Sequence, residues 1–301
     1  MLRKWLKRLG LGVIVLVAVL IVGYVVLVLR AQPLPDHPFN ARSGVLVFAH
    51  QGGDGIRPSN TMAAFTHAVE IGADILDLDI HRTSDGVLVV LHDETVDRTT
   101  NGTGLVREMT LDDLRQLDAG YNWPTDNRTD SSGYPYRGQG ITIPTLEEVF
   151  QAFPDMRVNI EIKQETPSIV ADFCAMIHQY NMQDKTMVST FHETTMTEFR
   201  QTCPDVPTAA VESEVRLFYV LNQLHLARAF YPTAYTFQVP ETSGNLQVVT
   251  TEFVAAAAAL NIQVYPWTIN DAEGMQRVID AGVQGINTDY PDVLLNLLGR
   301  S

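Results

Sequence analysis

From residue 45 onward, short apolar runs alternate with amphipathic stretches. Val45 to Ala49, Asp74 to Ile80 and Val87 to Leu91 read as strands, the last set off by the turn signal Ser84-Asp85-Gly86. Between the first two, Met62, Ala63, Phe65, Ala68 and Val69 fall at helical spacing over Asn60 to Ile71, with Ser59 or Asn60 as cap. Glu94 to Gly140 is polar, with one short helical piece at Leu111 to Leu117, and so long a stretch is expected to be a functional insertion. The alternation then becomes regular. Helices are predicted over Leu146 to Phe153, Ser168 to Tyr180, Glu193 to Thr202, Glu214 to Ala229, Thr251 to Leu260, Ala272 to Ala281 and Pro291 to Leu298. Strands are predicted over Arg157 to Ile162, Thr186 to Thr190, Pro207 to Val211, Ala234 to Val239, Ile262 to Trp267 and Gln284 to Asn287. About eight strand-helix units predict an α/β fold, a (β/α)8 TIM barrel with a small inserted segment, and the alternative is an open doubly wound sheet.

Ahead of this pattern, Gly10 to Leu29 is apolar without a charge. About 20 such residues span a bilayer as a helix, whereas a cleaved signal peptide has a shorter apolar core. Residues 1–30 are therefore expected to be a single-pass transmembrane anchor. Arg3, Lys4, Lys7 and Arg8 precede the apolar run, which puts the N-terminus in the cytoplasm and the body in the periplasm or at the cell surface. Residues 31–43, with three prolines between Arg30 and Asn40, read as a short stiff tether, and 44–301 as the barrel domain.

The 301 residues are 46% hydrophobic and 19% charged, enough for a sizeable core. The formal net charge is −14 although the first thirty residues carry no acid. So acidic a body argues against a nucleic-acid partner and suits divalent cations. Cys174 and Cys203 are expected to be two buried thiols, one in each of two helices; in an oxidising compartment they could pair.

Active sites of barrels lie at the carboxyl ends of the strands, and residues two apart on a strand share a face. His50 follows the first strand. Asp77 with Asp79, and Glu161 with Lys163, would each project together into the mouth. Inward-facing polar groups at one end of a barrel are costly unless they form a site. Asp77, Asp79 and Glu161 are hard oxygen ligands suited to Ca2+ or Mg2+, and no Cys- or His-rich set points to zinc. His50 and His92 suit general acid and base, and Lys163 a fixed positive charge on phosphate. Trp267 ends a later strand as core or as a substrate wall. Asp289 is expected to cap the last helix. His81 has no assigned role, and His67, His178, His192 and His225 are expected on helices as surface or core residues. Together these groups describe hydrolysis of a phosphate diester.

AHQGG with PSNT, GADILDLDIHRTSDGVLVVLHDETVDRTTNGTG, IPTLEEVF, NIEIK, WTIN and GINTDYPD, in that order from Val45 to the C-terminus, resemble the glycerophosphodiester phosphodiesterase family, and its membrane-anchored bacterial members especially. The resemblance implies a TIM barrel with a small insertion after His92 and metal-dependent cleavage of glycerophosphodiesters to glycerol 3-phosphate and an alcohol. It implies His50 and His92 as the acid/base pair, Asp77, Asp79 and Glu161 as metal ligands, and Lys163 at phosphate. A substrate hydroxyl would attack phosphorus first, and water would open the cyclic phosphate, with the two histidines exchanging roles. Two positions depart from the family pattern. Gln51, at a substrate-binding position, stands where an arginine is usual, with Arg57 the nearby replacement, and Asp77 stands where glutamate is usual. A lysophospholipase D acting at the bilayer is the close variant. A non-catalytic barrel or a glycoside hydrolase fits less well, because the paired histidines and Lys163 are present.

Overall fold

The computed structural model describes residues 2–41, 44–124 and 133–300. In chain order the regular elements are α1 (Leu2–Arg30), β1 (Leu46–Ala49), α2 (Met62–Glu70), β2 (Ile75–Arg82), β3 (Leu88–Val90), α3 (Leu111–Arg115), α4 (Leu146–Ala152) and β4 (Arg157–Ile162). They continue with α5 (Val170–Gln179), β5 (Thr186–Ser189), α6 (Glu193–Thr202), α7 (Glu212–Gln223), β6 (Thr236–Pro240), β7 (Thr242–Ser243), β8 (Leu246–Gln247), α8 (Thr251–Ala258), β9 (Gln263–Trp267), α9 (Ala272–Asp280), β10 (Gly285–Thr288) and α10 (Pro291–Leu297).

The strands form a parallel α/β sheet in the order β10-β1-β2-β4-β5, with β3 antiparallel on β2, and a parallel pair β6-β9. Single bridges, Val188 with Thr208 and Ala209 with Thr236, connect β5 to β6. Between β9 and β10, Gln284 N donates to Val264 O and Ile269 N to Asn287 O. The strand interiors are apolar, as strands covered on both faces must be. Val47, Leu76, Ile160, Val188, Phe237, Val264 and Ile286 are all buried in one cluster with the inner faces of the helices.

Three local expectations change. The strand over Pro207 to Val211 is reduced to two bridges, with Ala209 N donating to Val188 O and Ala210 N to Thr236 O, so it links β5 to β6 without forming a strand of its own. The helix over Glu214 to Ala229 ends at Gln223: His225 takes a left-handed φ of 57°, and Ala227–Ala229 is a separate 3-10 turn. The small hairpin β7-β8 turns on Gly244 and had no apolar signal of its own.

Cys174 on α5 and Cys203, just past α6, are not free thiols but a disulfide that ties the two helices together. Sequence position alone could not set their Cα atoms 5.8 Å apart; the packing of α5 on α6 does.

The polar insertion has its own small core. Val96, Val106, Leu114 and Ala119 pack with Val89, Leu91 and Ile143, so the segment folds onto β3 rather than hanging from it. Its residues 125–132 lie outside the described residues.

The segment after α1 is docked, not free. Ala31 and Phe39 are buried. Leu34 N donates to Leu260 O, Asn261 Nδ2 donates to Leu34 O, and the His37 ring packs at a tilt against Tyr235. Arg157 Nη1 donates to Phe39 O, and the Tyr265 hydroxyl donates to Asn40 Oδ1. Phe39 closes the amino ends of the strands against Leu46, Phe48, Ile75, Met187 and Tyr265.

Candidate active site

The parallel register of β2 and β4 builds the floor of the site. It sets Asp77 beside Asn159 and Asp79 beside Glu161, and the two-residue strand period turns all four to one side. A cavity of about 410 Å³ opens there, at the carboxyl ends of the strands. His50, Asp77, Asp79, His92, Glu161, Lys163 and Trp267 all line it, so seven of the residues expected from the sequence share one space. An apolar wall of Ala210, Val215, Val239, Pro240 and Phe191 faces them, and Trp267 meets Phe191 edge-on at 5.9 Å.

Each carboxylate is held. Asn159 Nδ2 donates to Asp77 Oδ1 at 2.5 Å and Asn287 Nδ2 to Asp77 Oδ2 at 2.8 Å. Asn60 Nδ2 donates to Asp79 Oδ2 at 2.9 Å. The Lys163 ammonium lies 3.3 Å from Asp79 Oδ1 and 2.9 Å from Glu161 Oε2. Burial disfavours the lysine's charge, but Asp79 and Glu161 outweigh it and raise its pKa. Burial also pushes the carboxyls of Asp77 and Glu161 up, partly offset by His50 for the first and Lys163 for the second.

The two histidines are oriented alike. His50 Nδ1 pairs with Asp289 Oδ1 at 2.6 Å, and His92 Nδ1 with Asp93 Oδ1 at 2.6 Å. That leaves Nε2 of each ring for a substrate. Burial works against a charged His50, but the Asp289 hydrogen bond and the charges of Asp77 and Asp79 raise its pKa to about 9. Asp93 is held far below the usual carboxylate range, since hydrogen bonds from His92 and Arg98 outweigh the effect of burial.

Asp289 is thus not a helix cap. Tyr290 occupies the cap position of α10, while the Asp289 side chain takes His50 and the amide of Asn270. The helix-cap reading failed because His50 is 239 residues away and only the β1-β10 pairing brings it near. Asn60, Asn159, Asn287 and Asp93 were not foreseen as site residues. A signal existed for two of them. Asn159 lies two before Glu161, and Asn287 two before Asp289, the same alternation that marked Asp77 with Asp79.

Gln51 is buried and is not among the residues that line the cavity. Its backbone turns at φ 51°, and its carbonyl accepts the Asn60 N–H at 2.8 Å, so it positions the asparagine that holds Asp79. The following Gly52, at φ +82°, lies where a Cβ would meet Ala64 Cβ at 2.7 Å, so the turn after His50 packs directly on α2. Arg57 donates to Ile56 O and does not line the cavity either. His81 is buried with Nε2 on His92 O, and with His192, Glu94, Arg107 and Glu165 it borders a second cavity on the other side of Lys163.

Among the described residues, the oxygens of Asp77, Asp79 and Glu161 do not converge as one tight ligand set; Lys163 lies between two of them and two asparagines hold the third. Their chemistry nevertheless fits a hard divalent cation. Asp77 and Asp79 are buried and Glu161 is half-buried, a single lysine contacts only two of the three, and the carbonyl oxygens of Asn60 and Asn287 are buried beside them without a hydrogen-bond donor.

The sequence profile of the glycerophosphoryl diester phosphodiesterase family matches residues 50–293. A glycerophosphodiester phosphodiesterase of Caldanaerobacter subterraneus is 35% identical over 85% of this chain and 98% of its own length. The human lysophospholipase D GDPD1 is 28% identical over 83% of this chain and 85% of its own. In fold the chain is similar to an Oleispira antarctica phosphodiesterase solved with sn-glycerol-3-phosphate (TM-score 0.65, 23% identity, 84% of this chain and 96% of that one). The chain belongs to the glycerophosphoryl diester phosphodiesterase family.

Proposed function

We propose that this chain hydrolyses glycerophosphodiesters to glycerol 3-phosphate and an alcohol. The observation that carries this reading is two histidines, each with a carboxylate on Nδ1, sharing one cavity with three carboxylates and a lysine. His50, charged at neutral pH by its surroundings, is the acid: its Nε2 proton passes to the alcohol oxygen as the P–O bond breaks. His92, braced by Asp93, takes the proton of the attacking hydroxyl, and the two exchange roles when water opens the resulting phosphate ester. Asp289 and Asp93 keep the rings in the productive tautomer. Lys163 binds a phosphate oxygen. Asp77, Asp79 and Glu161 would hold Ca2+ or Mg2+, which when bound offsets the charge gathering on phosphorus oxygens. Trp267 and Phe191 form the wall against the alcohol side.

The strands, by the same reading, close into a (β/α)8 barrel through the bridges at Thr208 and Ala209 and the β9-β10 hydrogen bonds. Arg8–Arg30 is long and apolar enough to span a membrane and none of it is buried. With α1 as anchor and the body outside the cytoplasm, the Cys174–Cys203 disulfide finds the oxidising compartment it needs. The apolar wall favours a second reading, lysophospholipase D activity, in which an acyl chain lies along Val215, Val239 and Pro240.

The test is release of glycerol 3-phosphate from glycerophosphocholine by the purified chain with Ca2+ or Mg2+. Activity should vanish with chelator and fall about 10²- to 10⁴-fold in His50→Ala and in His92→Ala. Undiminished turnover in either variant overturns the acid/base assignment.

A further inference from the structure

The chain carries its apolar helix and its cavity at opposite ends of the same strands. The contacts of the segment after α1, among the described residues, lie at the amino ends. Phe39 O meets Arg157, the first residue of β4; Leu34 meets Leu260 and Asn261, just before β9; His37 meets Tyr235, just before β6. The cavity residues lie at the carboxyl ends. Arg157 to Lys163 alone is six residue steps of extended chain, roughly 20 Å at about 3.3 Å per step.

No slack separates the helix from this foot. Ala31 N donates to Leu27 O, so the helical bonding runs into Ala31, and Ala31 is already buried. The end of α1 packs against the 3-10 turn Ala227–Ala229, which follows α7. Around that turn the exposed surface mixes apolar and basic or polar side chains, with Gln223, His225 and Arg228 beside two large apolar ones. Leu224 and Tyr231 are 61% and 66% exposed, and Arg228 is exposed between them. Tyr and Arg are side chains that settle at headgroup depth.

We infer that the foot formed by Ala31–Asn40 with Leu224, Arg228 and Tyr231 is the surface on which the body rests against a lipid bilayer, so that the cavity is held on the far side, open to water. This rests on reading α1 as a membrane span and on the phosphodiesterase reading of the cavity. Its consequence is that the enzyme takes its substrate from solution, and that a lysophospholipid still embedded in the same bilayer is out of reach whatever the apolar wall could accommodate.

Two single-cysteine probes on the full chain in phospholipid vesicles test it. Among the described residues both native cysteines are in the disulfide, so an added thiol can be labelled selectively. A fluorophore on Gln223→Cys, at the end of α7 beside the foot, should be quenched several-fold more by bilayer nitroxide lipids than one on Glu193→Cys, at the cavity end of α6. Equal quenching, stronger quenching at Glu193, or none at either overturns the inference, as does a chain that fails to float with the vesicles. Activity on the same vesicles keeps the two readings apart. Glycerophosphocholine in the water should be cleaved, and long-chain lysophosphatidylcholine in the vesicle should be cleaved much more slowly. A flexible Gly-Ser insertion after Arg30 should narrow that gap. Equal rates on both substrates, or an insertion without effect, overturn the orientation and leave the phosphodiesterase reading standing. Failure on glycerophosphocholine, with the quenching as expected, removes that reading alone.

Discussion

At the scale of single residues, the site depends on neutral side chains as much as on charged ones. Asn60, Asn159 and Asn287 each spend an amide on a carboxylate and so fix where its oxygens point. Asn60→Ala should weaken cation affinity about 10- to 100-fold while turnover at saturating cation changes far less, since groups that orient ligands act through affinity; a cation titration of activity reads this, and an unchanged midpoint contradicts it. Arg200 does a different task. Its guanidinium pairs with Glu214 and also donates to the Thr208 hydroxyl and to Ala209 O, tying α6 to the short link between β5 and β6. Burial pushes the Glu214 carboxyl up, but Arg200 and Thr233 outweigh it and hold its pKa low. A carboxyl depressed in the folded state adds stability above its unfolded pKa, and that contribution is lost as pH falls through the folded value. Arg200→Ala should therefore cost about 1–3 kcal/mol near neutrality. The gap to the parent should narrow in denaturant titrations carried into the acid range, and a gap constant with pH would contradict the role of Glu214.

Among the elements, the α5-α6 pair and the docked segment carry stability that no local pattern announced. The disulfide closes a loop with a sequence separation of 29. In the chain-entropy account a loop of that size contributes about 3–4 kcal/mol. Cys174→Ser with Cys203→Ser should lower the melting temperature by on the order of 10 °C, and reductant should do the same to the parent and nothing to the double variant. Phe39 is fully buried under the strands. Phe39→Ala should cost about 3–5 kcal/mol, as large-to-small core changes do; a loss below about 1 kcal/mol, the range of surface changes, would mean that the segment is a passive tether after all.

For the whole molecule, much was legible beforehand because it is written locally. Alternation of apolar runs with helical spacing gave the α/β character, and the bounds of β4 and α6 agree with the expectation to the residue. The two-residue strand period puts Asp77 with Asp79 and Glu161 with Lys163 from local sequence alone. Where a short range lacked such a period, the reading failed. Thr208 and Ala209 pair with β5 and β6 over too short a range to show a period, and α7 stops at a left-handed histidine that helical spacing runs through.

By itself, then, the sequence determined most of the helices and strands, which polar residues share a strand face, and the apolar span ahead of them, because each is set by neighbours within a turn or a strand. Only the tertiary structure decided that Asp289 belongs to His50, that Cys174 pairs with Cys203, that Gln51 supports Asn60 from behind the cavity, and that residues 31–40 seal the end opposite the site. Those pairings join residues tens to hundreds of positions apart. Their energy exists only once strand register and helix packing have fixed both partners, so nothing in the local pattern could carry them.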